Sequence, residues 1–215
     1  MGYKGKNMKI AVIQASSQAN KNALIYSAVI RYAPESDTYN FGCLENEEEK
    51  YSYIEISVLV GLLLAGKAVD FVVTGCSSGQ GMMLACNSLP GVLCGYVPTP
   101  KDAYLFVQIN NGNAISLPLG EEYTWSGSDN LEKTIASTFS EPFGQGYPKS
   151  ESERKLRDTA TLKRIKTESQ IEFADLLDKL DKDLIHKILG KKDVIDFVLA
   201  NGTDSRILEW IRKNR

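Results

Sequence analysis

One pattern constrains this chain more than any other. Short apolar runs alternate with longer helix-like runs until about residue 120. "KIAVIQA" (Lys9 to Ala15) reads as a buried strand, and "SQANKNALIYSAVIRYA" as the helix after it. "DTYNFG" reads as a second strand. "EEEKYSYIEISVLVGLLLAG" is a polar start followed by a long apolar helix. "VDFVVTG" is the most apolar strand, "GMMLACNSL" a short helix, and "GVLCGYV" a fourth strand. "PKDAYLFVQIN" is a helix opening at Pro100, and "NAISLPLG" closes the series as a fifth strand. Alternation of this kind argues for βαβ units, with parallel strands covered on both faces. The expected fold is a three-layer α/β/α sandwich around a five-stranded parallel, Rossmann-like sheet, occupying residues 8–150.

After "EPFGQGYPKSESE" (Glu141 to Glu153) the β-like runs stop, so residues 151–215 read as a helical C-terminal extension. "TESQ" (Thr167 to Gln170) has capping-box form. Phe173, Leu176, Leu177, Leu180, Leu184 and Ile188 then fall on one helical face, and Gly190 can end that helix. A last stripe carries Ile207, Leu208 and Ile211. From Glu151 onward 15 Lys/Arg face 13 Asp/Glu, so the tail is balanced and reads as an amphipathic cover for the core or for a second subunit.

Charge and cysteine usage narrow the function classes. A net charge of −2 offers nothing to nucleic acid or to an anionic membrane. The longest apolar run, Ile56 to Gly66, is well short of the ~20 residues of a membrane span. The start "MGYKGKN" lacks the apolar core of a signal peptide. Cys43, Cys76, Cys86 and Cys94 form no CxxC pair and read as reduced thiols in a cytoplasm. His186 is the sole histidine, which limits His-based catalysis and metal ligation; no metal and no cofactor are expected.

The chemistry-bearing stretch is "TGCSSGQG", Thr74 to Gly81. It follows the most apolar strand and precedes a helix, and in an open parallel sheet ligands bind beyond the carboxyl ends of strands. Backbone N–H groups at a helix start are unpaired; they attract anions and favour a thiolate nearby. Ser77, Ser78, Gly79 and Gly81 let the backbone approach a ligand closely. Cys76 is thus a candidate base or nucleophile beside an anion hole, and equally a small residue buried at a strand end. A dinucleotide fingerprint, a P-loop and a phosphatase loop all fail here, for want of G-x-G-x-x-G after the first strand, of Gly-Lys-Ser/Thr and of an Arg at position 82. "GCSSG" does fit a nucleophile elbow with Ser77, but its base would have to be His186.

"VDFVVTGCSSGQGMMLACNSLPGVLCGY" resembles the core of the type-B ribose-5-phosphate isomerases and the related galactose-6-phosphate isomerase subunits. The likeness runs without gaps from about Tyr53 to Asn113, and in outline from Lys9 to about Asp158; the tail beyond is longer than in compact members. The resemblance implies a cofactor-free aldose–ketose isomerase acting on a pentose or hexose, such as a sugar phosphate, through an enediolate. It implies Cys76 as base, Ser78 in place of a catalytic threonine, and substrate contacts from Ser77, Gly79, Gly81, Asn87 and Asn110. Arg154 and Arg157 match phosphate-binding arginines. A homodimer or higher oligomer with sites at the subunit interface is implied too, and a non-catalytic sugar-binding or partner subunit of the same fold is the alternative. Three departures stand out. Ser77-Ser78 replaces Gly-Thr, and Ile109 stands where the family has a ring-opening histidine. The family's Asp-His after the first strand is Ala15-Ser16, so Ser16, Ser17 and Gln18 are the substitutes at that strand end.

Overall fold

In a computed structural model of the chain, residues 7–123 and 125–215 are described; the first six residues of the polar opening lie outside them. The apolar runs form five parallel strands: β1 (Lys9–Val12), β2 (Asp37–Asn40), β3 (Phe71–Cys76), β4 (Cys94–Tyr96) and β5 (Ala114–Pro118), in spatial order β2-β1-β3-β5-β4. The central strands β3 and β5 are buried at every residue. Side chains alternate across the sheet, as a two-residue period requires. Ile10, Val12, Phe71, Val73, Ile115 and Leu117 enter one apolar cluster. Ala11, Ile13, Val72 and Ala114 enter the other.

Helices α1 (Asn22–Tyr32) and α5 (Gly127–Thr138) supply the first cluster; α2 (Tyr53–Ala65) and α3 (Gln80–Asn87) supply the second. Helix α4 (Pro100–Leu105) starts with Thr99 as its cap and runs into a π-helical stretch, Phe106–Asn110. The Val107 and Gln108 carbonyls in that stretch accept from the Gly144 and Gly146 amides, both at 2.9 Å. Helix α2 is apolar nearly all round, with eight residues from Ile56 to Leu63 buried. A helix of that kind needs cover on both sides. The sheet covers one side and the tail the other.

The tail is wholly helical: α6 (Ser152–Ser169), α7 (Phe173–Leu177), α8 (Lys182–Leu189), α9 (Lys192–Asn201) and α10 (Ser205–Asn214). Three local expectations fail. Thr167 to Gln170 is the end of α6 and caps no new helix. The stripe from Phe173 to Ile188 is broken between α7 and α8, because the Asp181 carboxylate caps a fresh start by accepting from the Asp183 and Leu184 amides (2.9 and 3.3 Å). The helix expected from Ser17 begins only at Asn22; Ser16–Lys21 form a 3-10 turn in which Gln18 leaves helical geometry. Among the described residues no helix is long and apolar enough to cross a membrane.

Candidate active site

The chain passes from β2 through α2 to β3, which lies on the far side of β1. The sheet therefore changes winding direction between β1 and β3, and the crevice beyond their carboxyl ends is where such sheets bind ligands. An open pocket of about 730 Å³ occupies that place. Three segments wall it: Ala15 to Ser17 after β1, Lys50 to Tyr53 before and at the start of α2, and Cys76 to Ser78 with Gly81 after β3. Glu55, Tyr123 and Lys187 complete the lining.

Cys76 is the last residue of β3, on the pocket wall and 7% exposed. Its carbonyl accepts from the Leu119 amide at 3.1 Å, and that of Ser77 from the Gly120 amide at 2.9 Å, so the turn is pinned to the segment after β5. Gly79 caps α3 at φ +73°, and a Cβ there would lie 2.9 Å from the Leu117 carbonyl carbon and Pro118 nitrogen. Only glycine suits both the backbone angle and the space. Ser116 Oγ donates to the Gly79 carbonyl at 2.6 Å and holds the cap in place. The α3 N-terminus, with its first amides lacking intrahelical acceptors, thus begins at the pocket edge, where Gly81 packs toward the Tyr53 ring.

The β1 side is built around serine hydroxyls. Gln18 Nε2 donates to Ser77 Oγ at 2.9 Å, and Ser17 Oγ lies 3.4 Å from the same atom. The non-helical backbone at Gln18 goes with this inward turn of its side chain. Ser16 Oγ accepts from the Tyr51 amide at 2.8 Å, tying the β1 loop to the start of α2. Beneath them Gln14 Nε2 donates to the Cys43 carbonyl (2.7 Å) while its Oε1 accepts from Asn22 Nδ2 (2.9 Å), so the buried amides below the site are paired.

The tail reaches the same pocket. Lys187 Nζ pairs with Glu49 Oε2 at 2.6 Å, and buried Lys191 pairs with Glu47 at 2.9 Å and Asp193 at 3.1 Å. The two ammonium groups stand 5.2 and 5.7 Å from the centre of the Tyr51 ring. Burial, reinforced by the nearby Glu49 carboxylate, pushes the Tyr51 hydroxyl up to about 12. That phenol keeps its proton at neutral pH.

The structure brings Ser16, Ser17, Cys76, Ser77, Ser78 and Gly81 to one pocket, with Gln18 and Gly79 directly behind it. Other expected residues go elsewhere. Asn87 spends its side chain on joining α3 to β4, donating to the Met83 and Cys94 carbonyls (3.0 and 2.7 Å) and accepting from the Cys94 amide (3.0 Å). Asn110 ends the π-helical stretch and is not in the lining. Arg154 on α6 is ion-paired with Glu151, just before that helix, and with Asp158, and neither it nor Arg157 lines the pocket of its own chain. Ile109 offers only its carbonyl, to Thr159 Oγ1 at 2.5 Å. His186 lines a separate cavity of the tail beside Trp210, so Ser77 has no histidine partner and the hydrolase arrangement does not form.

Lys50, Tyr51, Tyr53, Tyr123 and Lys187 were not expected in the site. "SYIE", Ser52 to Glu55, was a readable signal: it is a capping box before an apolar run, and both of its hydrogen bonds form. It fixes the start of α2 and hence that wall.

Comparison with known proteins follows the same outline. The Ribose/Galactose Isomerase family model matches residues 10–158. A crystal structure of a 4-deoxy-L-threo-5-hexosulose-uronate ketol-isomerase, complexed with a tartrate, matches with TM-score 0.90 and 36% identity, over 96% of this chain and 99% of its own. A ribose-5-phosphate isomerase from Vibrio parahaemolyticus matches with TM-score 0.91 and 34% identity, over 98% of this chain and 100% of its own. The type B ribose 5-phosphate isomerase of Trypanosoma cruzi shares the fold at TM-score 0.64 and 21% identity, covering 77% of this chain and 100% of its own. No curated protein matches.

Proposed function

We propose a specific reaction for this chain, which belongs to the ribose/galactose isomerase family: cofactor-independent aldose–ketose interconversion, with Cys76 as the base. The sugar isomerase activity goes with the family; the base and the intermediate are our reading. The observation that carries it is the position of Cys76, at the carboxyl end of the central strand, on the pocket wall and beside the start of α3. The Cys76 thiolate removes the proton from the carbon next to the substrate carbonyl. The electron pair moves onto the carbonyl oxygen and gives an enediolate. Amides of the Ser77–Gly81 turn face that developing charge, with the Ser78 hydroxyl beside them. Return of the proton to the neighbouring carbon completes the isomerisation, so no electron leaves the substrate.

A pocket without histidine suits a substrate that is already open-chain. The matching proteins act on a hexosulose uronate and on ribose 5-phosphate, which share an acidic group far from the reacting carbons. Our reading is therefore an acidic pentose or hexose. It includes a homodimer: Leu156, Leu162 and Ile165 on α6 are 40–58% exposed, and a second subunit would cover them and receive Arg154 and Arg157 near its own pocket. Sedimentation of the wild-type chain reads the assembly, and a monomer would remove both arginines from the site.

Cys76→Ala tests the base. The expected result is a fall of about 10³-fold or more in the exchange of substrate C–H for solvent deuterium, with the fold unchanged by circular dichroism. Retained exchange would mean that another group takes the proton.

A further inference from the structure

Lys187 lies on α8, beyond the residues matched by the family model, yet it shares the pocket lining with Cys76. Its ammonium already holds a carboxylate, that of Glu49, at 2.6 Å, with the Tyr51 ring as a platform at 5.2 Å. Lys187 is one-third exposed and the Glu49 side chain 69% exposed, so the pair stands at the rim and is open to exchange. Pairs of that kind are weak and screened by salt. Lys50 is a second cation in the lining, with Nζ 2.6 Å from the Glu47 carbonyl. Among the described residues Glu55 is the one acid in the lining, and it is committed to the cap of α2. Among the described residues no arginine of the same chain lines the pocket, so a bidentate fork for phosphate would have to come from a second subunit, whereas Lys187 stands on the pocket's own wall.

We propose that Lys187, with Lys50 in the same lining, recognises the carboxylate of an acidic sugar substrate, and that Glu49 is the protein's own competing carboxylate, displaced when the substrate's takes its place. The inference rests on the pocket being the isomerase site. The exchange replaces one carboxylate by another, so Lys187 stays paired throughout. The Lys187 hydrogen bond holds the Glu49 carboxyl below its ordinary value, so the competitor remains charged at neutral pH. This gives the tail a specificity-determining residue.

Calorimetric titration with tartrate, a small dihydroxy dicarboxylate, tests this without turnover. Lys187→Met is expected to weaken tartrate binding about tenfold, and Lys187→Arg to restore most of it. Glu49→Gln is expected to tighten it about threefold or more, by removing the competitor. Glu49 is exposed, so that variant reads the proposal even where Lys187→Met perturbs the fold. Inorganic phosphate is the second probe, and Lys187→Met is expected to weaken its binding less than that of tartrate. Tartrate binding within twofold of wild type in Lys187→Met, or no tightening in Glu49→Gln, overturns the proposal. So does a loss in Lys187→Met that falls on phosphate instead of tartrate. Failure of the Cys76 reading looks different: Cys76→Ala would keep deuterium exchange while tartrate still responded to residues 49 and 187.

Discussion

The sheet and the tail are held by different means. In the sheet, β3 and β5 are buried along their whole length and each face is filled by one apolar cluster. In the tail, α6 buries Thr159 alone, whereas α7 to α10 present short apolar stripes to α2 and add ion pairs at the pocket rim. Burying apolar area sets the amount of stability; it is non-directional and places no particular atom. Directional contacts join the tail to the body on α6, through Thr159 and Lys166, and at the pocket, through Lys187. The difference teaches that the tail is the second wall of the site as well as the outer cover of α2.

The sharpest way to break this comparison is at Phe173. Its ring lies where a Cβ on Gly61 of α2 would come within 2.5 Å, so glycine at 61 exists to admit it. Phe173→Ala is expected to cost about 3–5 kcal/mol, as for other large-to-small changes in a core. Denaturant unfolding should stay a single transition with a lowered midpoint. If the tail unfolds alone while amides of β1 and β3 keep wild-type exchange protection, it is a separable cover and the comparison fails.

That contact also shows where sequence reading stops. The strands were legible because an apolar run flanked by turn residues has few other uses, and the Cys76 turn because serine and glycine follow such a run. The apolar girdle of α2 was legible as a buried helix; it also required cover on the side away from the sheet, and Gly61 within it marked a close approach. Lys187 was not legible. It meets Glu49 across 138 residues, and a lysine on an amphipathic helix carries no local sign of which wall it will join. Asn87 misled for a related reason: an asparagine that contacts a sugar and one that ties a helix to a strand look alike until the Cys94 carbonyl and amide are placed.

A smaller effect is expected on the sheet side. Gly79→Ala puts a side chain at φ +73° and a Cβ 2.9 Å from backbone atoms of β5 and the Tyr96 ring. We expect a loss of about 2 kcal/mol from the backbone angle and the forced shift. Because the shift falls on the start of α3, kcat should drop more than the melting temperature alone would suggest, with KM for substrate less affected. An alanine variant with wild-type kcat would show that the turn amides do not stabilise the transition state.

The smallest expected effect concerns the buried lysine of the tail. Lys191 is 5% exposed and spans Glu47 and Asp193. Burial, the largest single influence, lowers its proton affinity, but hydrogen bonds and charge from Glu47 and Asp193 outweigh it, so the net shift is upward from 10.5. Lys191→Met leaves Asp193, 47% exposed, free to turn to water, and Glu47 keeps the Leu44 amide as a donor at 2.9 Å, so the cost should be about 1 kcal/mol, below that of stranding a fully buried charge. The sign of the pH dependence follows from the direction of the shift. A raised folded value means that the contribution is whole below the ordinary lysine value of 10.5 and fades as pH climbs through the raised one. Wild type and Lys191→Met should therefore differ in unfolding free energy equally at neutral and mildly alkaline pH, and converge only above that ordinary value. Convergence between neutral pH and that ordinary value, where Glu47 and Asp193 are still charged, would mean that the ammonium is not what joins the tail to the Glu47 wall.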